Sequence, residues 1–253
     1  MTQTDVILAA KELCIEFNGF RALDGASFNV RRGHIHALIG PNGAGKTTCF
    51  NLLTRFLTPT SGTIHLNGDD ITALPPDEIA QRGMVRSFQI SAVFGDMTVL
   101  ENVRVALQRR KHGASFDFWR SESVLRGLNA EAEQLVHAVG LSEFIHLRAA
   151  ELSYGRKRAL EVATTLALDP QMLLLDEPMA GMGHEDVKRT AALIREIART
   201  RTVLMVEHNL SVVAELCDRI TVLARGQVLA EGDYASVSQD PKVIEAYIGA
   251  GHA

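Results

Sequence analysis

Three short stretches of this chain combine residue types that bind and cleave phosphates. The first is Gly40-Pro41-Asn42-Gly43-Ala44-Gly45-Lys46-Thr47-Thr48. Glycines let consecutive backbone N–H groups turn into one concavity, because no Cβ blocks the turn. A helix starting at its end adds the positive end of a dipole. Lys46 supplies a point charge for the β- and γ-phosphates of a nucleotide, and the Thr47 hydroxyl is an oxygen ligand suited to Mg²⁺. The second stretch is Met172-Leu173-Leu174-Leu175-Asp176-Glu177, an apolar run that ends in two carboxylates. Asp176 is placed to hold Mg²⁺ through water, and Glu177 to polarise an attacking water as a general base. The third is Leu152-Ser153-Tyr154-Gly155, followed by Arg156-Lys157-Arg158. Ser153 has N-cap chemistry, and the free N–H groups of the helix it opens make a second anion surface. Read alone, this third stretch is an ordinary capped helix.

These groups act together only if a sheet brings them to one edge. His34–Ile39 reads as a buried strand leading into the glycine loop, and Cys49–Leu53 as the helix leaving it. Met172–Leu175 and Thr202–Val206 read as further buried strands, with an amphipathic helix over His184–Thr200 between them. Ligands of open parallel sheets sit beyond the carboxyl ends of the strands, where Gly40, Asp176 and Glu177 all fall. Upstream, Val6–Phe17 and Ala26–Val30 read as strands about a turn at Asn18-Gly19-Phe20, and Thr63–Gly68 as another. Pro76-Asp77-Glu78 opens a short helix that Gly83 closes. Residues 90–155 change character. Thr98-Val99-Leu100-Glu101 has capping-box spacing, Glu122–Leu141 carries apolar residues at helical period, and Lys111–Trp119 reads as a loop. The α/β pattern then returns: a helix over Arg156–Leu168, a hairpin of Arg219–Leu223 with Gln227–Ala230, and a terminal helix at Lys242–Ile248.

The bulk properties narrow the function. The 253 residues are 46% hydrophobic and carry a net charge of −4, which suits one large domain or a core with a subdomain and supplies no basic footprint for nucleic acid. Cys14, Cys49 and Cys217 are far apart with no CxxC spacing, a pattern of reduced thiols that argues against zinc. Met1–Asp5 lacks the basic and apolar regions of a signal peptide. No run of about 18 apolar residues is present to span a membrane.

In order and spacing, the glycine loop, Gln89, Leu-Ser-x-Gly at 152–155, the Asp176-Glu177 strand end and His208 resemble the ABC ATPase family, over essentially the whole chain. Finer details are similar to one branch of it, the ATPase subunits of branched-chain amino acid importers. These are Leu-Ser-Tyr-Gly, Glu177-Pro178-x-Ala180-Gly181-Met182, Val206-Glu207-His208-Asn209 and Val243-Ile244-Glu245-Ala246-Tyr247-Ile248-Gly249. That branch also handles urea, short amides and aromatic acids.

The resemblance implies an α/β P-loop NTPase core, RecA-like, with an N-terminal antiparallel β subdomain and an inserted α-helical subdomain. Residues 1–89 and 156–240 would form the ATP-binding core, 90–155 the insert with the signature, and 241–253 a terminal helix and tail. It implies ATP and Mg²⁺ as cofactors. Gly40, Pro41, Asn42, Gly43, Ala44, Gly45, Lys46, Thr47 and Thr48 would cradle the phosphates. Thr47, Gln89 and Asp176 would serve the metal. Glu177 would be the general base, with Gln89 near the attacking water and His208 on the γ-phosphate. Ser153 and Gly155 would reach the γ-phosphate of an opposite subunit, and Phe17 would stack on adenine, with Phe20 a nearby competitor. Partners would be a second ABC ATPase (a copy or a related chain), two membrane permeases and, through them, a periplasmic or surface solute-binding protein, at the cytoplasmic face of the membrane. An exporter or lipid-extraction ATPase and an iron–sulfur assembly factor stay open beside this reading. The chain departs from the general pattern at Tyr154, where glycine is common, at Arg156, where glutamine is common, and at Gly183, where an aspartate is usual.

Overall fold

The computed structural model describes residues 5–87, 93–112 and 127–249. The chain forms two compact units: Met1–Arg86, Gln171–Met179 and Ile194–Ala253 in one, Ser87–Pro170 and Ala180–Leu193 in the other. The second takes in all of 90–155 and also residues 156–170 and 180–193. A cut at 155 would fall inside the helix Tyr154–Leu166, which begins two residues before the expected Arg156.

The first unit holds two sheets. Strands β1 (Val6–Phe17), β2 (Phe20–Arg31), β4 (Ser61–Leu66) and β5 (Asp69–Asp70) form an antiparallel sheet in the order β2-β1-β4-β5. The second strand starts at Phe20, earlier than the Ala26 expected, because Asn18 (φ 49°) and Gly19 (φ 87°) alone make the turn. Positive φ at both central residues is the two-residue hairpin whose twist matches its strands, and it pairs Phe17 with Phe20.

The larger sheet runs β10-β9-β3-β8-β7-β6. Its strands are β3 (Ile35–Ile39), β6 (Met84–Ser87), β7 (Met172–Asp176), β8 (Thr202–Val206), β9 (Arg219–Ala224) and β10 (Gln227–Gly232). Strand β3 pairs in parallel with both β8 and β9, and β7 with β8. Every residue of β3, β7 and β8 is buried, which is why these segments are continuous apolar runs and do not alternate. Side chains of a strand still alternate between faces. Leu38 joins a core with Ile7, Leu13, Phe50, Leu174 and Leu204. Its neighbours Ala37 and Ile39 join another with Val213, Val222 and Val243. His36 is wholly buried in β3 with Nε2 2.8 Å from the Thr221 hydroxyl. Burial, with Arg219 and His34 adding to it, pushes its pKa down to about 3, so the ring is neutral and structural. Helices α1 (Lys46–Leu53), α2 (Pro76–Gln81), α7 (Leu210–Leu216), α8 (Tyr234–Ser238) and α9 (Pro241–Gly249) complete this unit.

The second unit is helical. Helix α3 (Val99–His112) opens with the capping box that the spacing predicts: the Thr98 N–H donates to Glu101 Oε2 at 2.8 Å, and the Glu101 N–H to Thr98 Oγ1 at 3.2 Å. The helix continues through Lys111 and His112, where a loop was expected to begin; the rest of that expected loop lies outside the described residues. Arg110 near its end pairs with Glu131 of α4 (Asn129–Ala138). Residues 122–126 of the expected Glu122–Leu141 helix also lie outside the described residues. Helix α5 spans Tyr154–Leu166, and α6 spans His184–Ala198, of which residues 184–193 belong to this unit and 194–198 to the first. Asn102 of α3 is buried and clamps the preceding loop. Its Oδ1 accepts the Phe94 N–H at 2.7 Å, and its Nδ2 donates to the carbonyls of Phe94 and Thr98 at 3.1 and 2.9 Å. The loop backbone is thereby fixed, while Phe94 and Met97 stay exposed. Among the described residues no helix is long and apolar enough to cross a membrane.

Candidate functional site

Strands β3, β8 and β7 are adjacent and parallel, so the segments leaving their carboxyl ends meet at one edge of the sheet. Strand β3 runs into the Gly40–Thr48 loop, β8 into His208, and β7 ends at Asp176 with Glu177 next. The loop needs its glycines for two reasons. Gly40 (φ 151°) and Gly45 (φ 102°) also lie against distant backbone: a Cβ would fall 2.1 Å from the Leu223 carbonyl oxygen at one and 2.7 Å from that of Ala22 at the other. Gly43 (φ 76°) has open space where a side chain would be and is required for backbone conformation alone. Gly45 is the N-cap of α1 and offers no side-chain cap, so the first N–H groups of the helix face the loop concavity.

Lys46 is buried at the start of α1. Its ammonium donates to the carbonyls of Gly40 at 2.8 Å and Pro41 at 3.0 Å. Burial lowers its pKa, while the Glu177 and Asp176 carboxylates oppose that shift. The lysine therefore sits in the field of both acids as well as in the loop. Thr47 is exposed one residue further on.

Asp176 is 3% exposed. Its Oδ2 accepts a 2.5 Å charged hydrogen bond from Arg86, whose guanidinium also donates to Asn51 Oδ1 at 2.6 Å and lies 5.6 Å from the centre of the Phe50 ring. Its Oδ1 is buried with no hydrogen-bond partner among the described residues. A buried carboxylate oxygen without a donor is costly, and a hydrated hard cation would satisfy it. With the exposed Thr47 hydroxyl, the oxygen donors fit Mg²⁺. Gln89, the third expected metal residue, lies outside the described residues.

Glu177 has φ 47°, a left-handed backbone that costs a non-glycine residue about 1–3 kcal/mol and is concentrated at functional sites. Its N–H donates to the Val206 carbonyl at 2.9 Å, which fixes the bend beyond β7. Glu177 Oε1 is 2.9 Å from His208 Nε2; for the carboxylate to accept, that nitrogen carries the ring proton. His208 is presented by a turn built around Glu207, which the sequence marks only as part of Val206-Glu207-His208-Asn209 and gives no role of its own. Buried Glu207 Oε1 accepts the N–H groups of His208 and Asn209 at 2.8 and 3.0 Å. Asn209 then caps α7 through Ser211 and Val212. The recognisable part of that signal is Asn209, an N-cap residue after a buried strand.

Phe17 and Phe20 face each other across the hairpin and are 43% and 67% exposed, so neither is a core residue. Beyond them Ala22 abuts Gly45 and Gly226, which brings the hairpin beside the phosphate loop.

Ser153 and Gly155 lie in the second unit. Ser153 occupies the N-cap of α5 with extended backbone, but its hydroxyl makes no capping bond. The expected side-chain cap is therefore corrected: Ser153 holds the N-cap position by its backbone, and its hydroxyl caps nothing among the described residues. A Cβ at Gly155 would lie 2.7 Å from the Asp186 carboxylate carbon, so a larger residue there would require the Asp186 side chain to move. The unusual neighbours have local packing reasons. Tyr154 lies beside Gly181 and beneath Arg158, whose guanidinium is 5.7 Å from the ring centre. Arg156 stacks on Phe144 at 3.9 Å, a cation–π contact that glutamine could not make.

Residues 23–180 match the family model for ABC transporters, and residues 227–253 match that for branched-chain amino acid ATP-binding cassette transporters. The chain is 38% identical over 250 residues to the high-affinity branched-chain amino acid transport ATP-binding protein BraF of Pseudomonas aeruginosa, covering 96% of this chain and 98% of that protein. It is 38% identical over 252 residues to the corresponding LivG protein of Escherichia coli, again covering 96% and 98%. Its fold superposes on a crystal structure of the ADP conformation of an ATP-binding cassette of an ABC transporter with a TM-score of 0.84 at 32% identity, covering 96% of this chain and 99% of the other. By these matches the chain is a member of the ABC transporter ATP-binding family, a family of ATP-hydrolysing transport ATPases, in its branched-chain amino acid branch.

Proposed function

We propose that this chain couples ATP hydrolysis to import of branched-chain amino acids or a related small polar solute, from the cytoplasmic face of a membrane. The supporting observation is the match of residues 227–253 to a model specific to that branch, on a chain whose cassette is otherwise common to many transporters. In this reading the first unit binds ATP, and the second carries the signature and the contact to two permeases, which a solute-binding protein would supply with solute.

ATP would lie along the loop, its base on Phe17 or Phe20 and its phosphates against the loop N–H groups and the Lys46 ammonium. Thr47 and, through water, Asp176 Oδ1 would hold Mg²⁺, with Gln89 contributing; the ion would neutralise developing charge on the phosphate oxygens. Arg86 holds the other Asp176 oxygen and so sets the direction in which Oδ1 points. Glu177 would accept the proton of the water attacking the γ-phosphate, and His208 Nε2 would hold that carboxylate and reach the γ-phosphate oxygens. Because the reaction needs little covalent help from the protein, positioning and charge carry the catalysis. Ser153 and Gly155 would complete the site of a second ATPase chain, whose own signature completes this one.

Ser153→Arg places a long cation in a position assigned to the partner's nucleotide. ATP binding by the isolated mutant chain should stay near the wild-type value, while transport by the assembled complex is lost. Loss of ATP binding in the isolated mutant, measured by titration, would mean that Ser153 acts within its own chain.

Copurification tests the assignment to a transporter. The tagged chain should bring down two permeases from membranes. Phe94→Asp, on an exposed ring above a loop clamped by Asn102, should give a folded, ATP-binding chain that no longer does so. A mutant that still assembles and transports normally would remove the loop from the interface; a wild-type chain with no permease partner would favour an assembly factor over an importer.

A further inference from the structure

Strand β8 runs directly into a buried carboxylate, Glu207, which is 4% exposed. Glu207 Oε1 accepts the His208 N–H at 2.8 Å and the Asn209 N–H at 3.0 Å. Those N–H groups belong to the two peptides on either side of the His208 Cα. Holding both on one oxygen fixes the His208 backbone, and with it the direction of the Cα–Cβ bond; only the side-chain torsions stay free. The ring has little else to hold it. It is exposed, and its contact with Glu177 Oε1 is its only side-chain hydrogen bond among the described residues. The far side of the turn is tied down by Asn209, whose Oδ1 accepts the Ser211 and Val212 N–H groups at 3.1 and 3.3 Å.

The same strand end holds Glu177. The Val206 carbonyl accepts the Glu177 N–H at 2.9 Å, and the next residue holds His208. The 2.9 Å approach of Glu177 Oε1 to His208 Nε2 is therefore set from two consecutive residues. Using a buried glutamate for this is costly. Its Oε2 is buried with no hydrogen-bond partner among the described residues, and an unsatisfied buried carboxylate oxygen destabilises the fold. An apolar side chain of the same length would suit packing better.

We propose that Glu207 is a positioning residue for hydrolysis: its carboxylate clamps the His208 backbone so that the imidazole meets Glu177 and the γ-phosphate together. Glu207 acts only through His208. This rests on the reading of Glu177 and His208 as the groups at the γ-phosphate.

The test uses the full-length chain in its assembled complex. Glu207→Met keeps the length of the side chain and removes the acceptor. Its kcat for ATP should fall about 10- to 100-fold, as when a reacting group is misplaced by about 1 Å. ADP has no γ-phosphate, so its affinity should stay within about two-fold of wild type. The melting temperature should shift little: the N–H groups sit at a partly buried turn that water can reach, and the unpaired buried oxygen leaves with the carboxylate. Glu207→Gln keeps an acceptor oxygen and should restore most of the rate. In a His208→Ala background, Glu207→Met should cost nothing further, because residues that act as a unit are not additive. A wild-type rate in Glu207→Met would overturn the proposal. So would a further loss of rate in the His208→Ala background, or a fall in ADP affinity or melting temperature that matches the fall in rate, since these would make Glu207 mere support for the fold. Glu207→Gln as slow as Glu207→Met would overturn the backbone clamp as the cause. His208→Ala alone is the reference. A wild-type rate there would remove His208 from the γ-phosphate and the underlying reading with it, whereas a slow His208→Ala beside a normal Glu207→Met would sink only the role of Glu207.

Discussion

Lys46→Ala loses ATP turnover by at least about 100-fold and binds ATP roughly 10- to 100-fold more weakly. The affinity term follows from the strength of hydrogen bonds to charged groups, about 1.5–3 kcal/mol. The rate term follows from removing a preorganised donor aimed at developing charge, which costs on the order of 100- to 1000-fold. Alanine is a good helix former at the first position of α1, so the chain should remain folded. The Gly40 and Pro41 carbonyls lose their donor, and the Asp176 and Glu177 carboxylates lose the nearby cation, which adds repulsion against an incoming polyphosphate. Turnover of the assembled complex, with nucleotide titration and a melting curve on the same preparation, checks this. Normal turnover would remove Lys46 from the site.

Glu177→Gln keeps ATP binding and loses hydrolysis by roughly 100- to 10,000-fold, the usual worth of a general base. The amide has the shape of the carboxylate and can still meet His208 Nε2, now 2.9 Å from Glu177 Oε1. It cannot take the proton of water. It also removes a negative charge from the region of Lys46, so ATP affinity should stay level or rise. A replacement that keeps the left-handed backbone is the informative one, because φ is 47° here and strain should be matched between the compared chains. A wild-type rate would show that proton removal occurs elsewhere.

What the sequence made legible was local. The glycine loop could be read because each of its parts is demanded by a neighbour within nine residues. The two-residue turn at Asn18-Gly19 and the Thr98–Glu101 box are likewise self-contained. What it concealed depends on partners far along the chain. Gly40 and Gly45 are also fixed by carbonyls of Leu223 and Ala22. The direction of Asp176 is set by Arg86, ninety residues away. Nothing in Glu177 itself announces a positive φ; the bend is held by Val206 of the adjacent strand. The polar run at the end of α3 resembled a loop because its support comes from Glu131 of another helix. Ser153 was the converse case: the N-cap position was legible, but the missing side-chain cap was not, because side-chain choice at a cap is not written in its spacing.

The most direct measurement is the identity of the nucleotide recovered from the complex. Wild-type and Glu177→Gln complexes are incubated with Mg²⁺ and ATP, separated from free nucleotide and extracted. If Lys46 and its loop hold ATP and Glu177 activates the water, the mutant yields intact ATP and the wild type yields ADP. ADP recovered equally from both would contradict the assignment of Glu177, and no nucleotide from either would contradict the site.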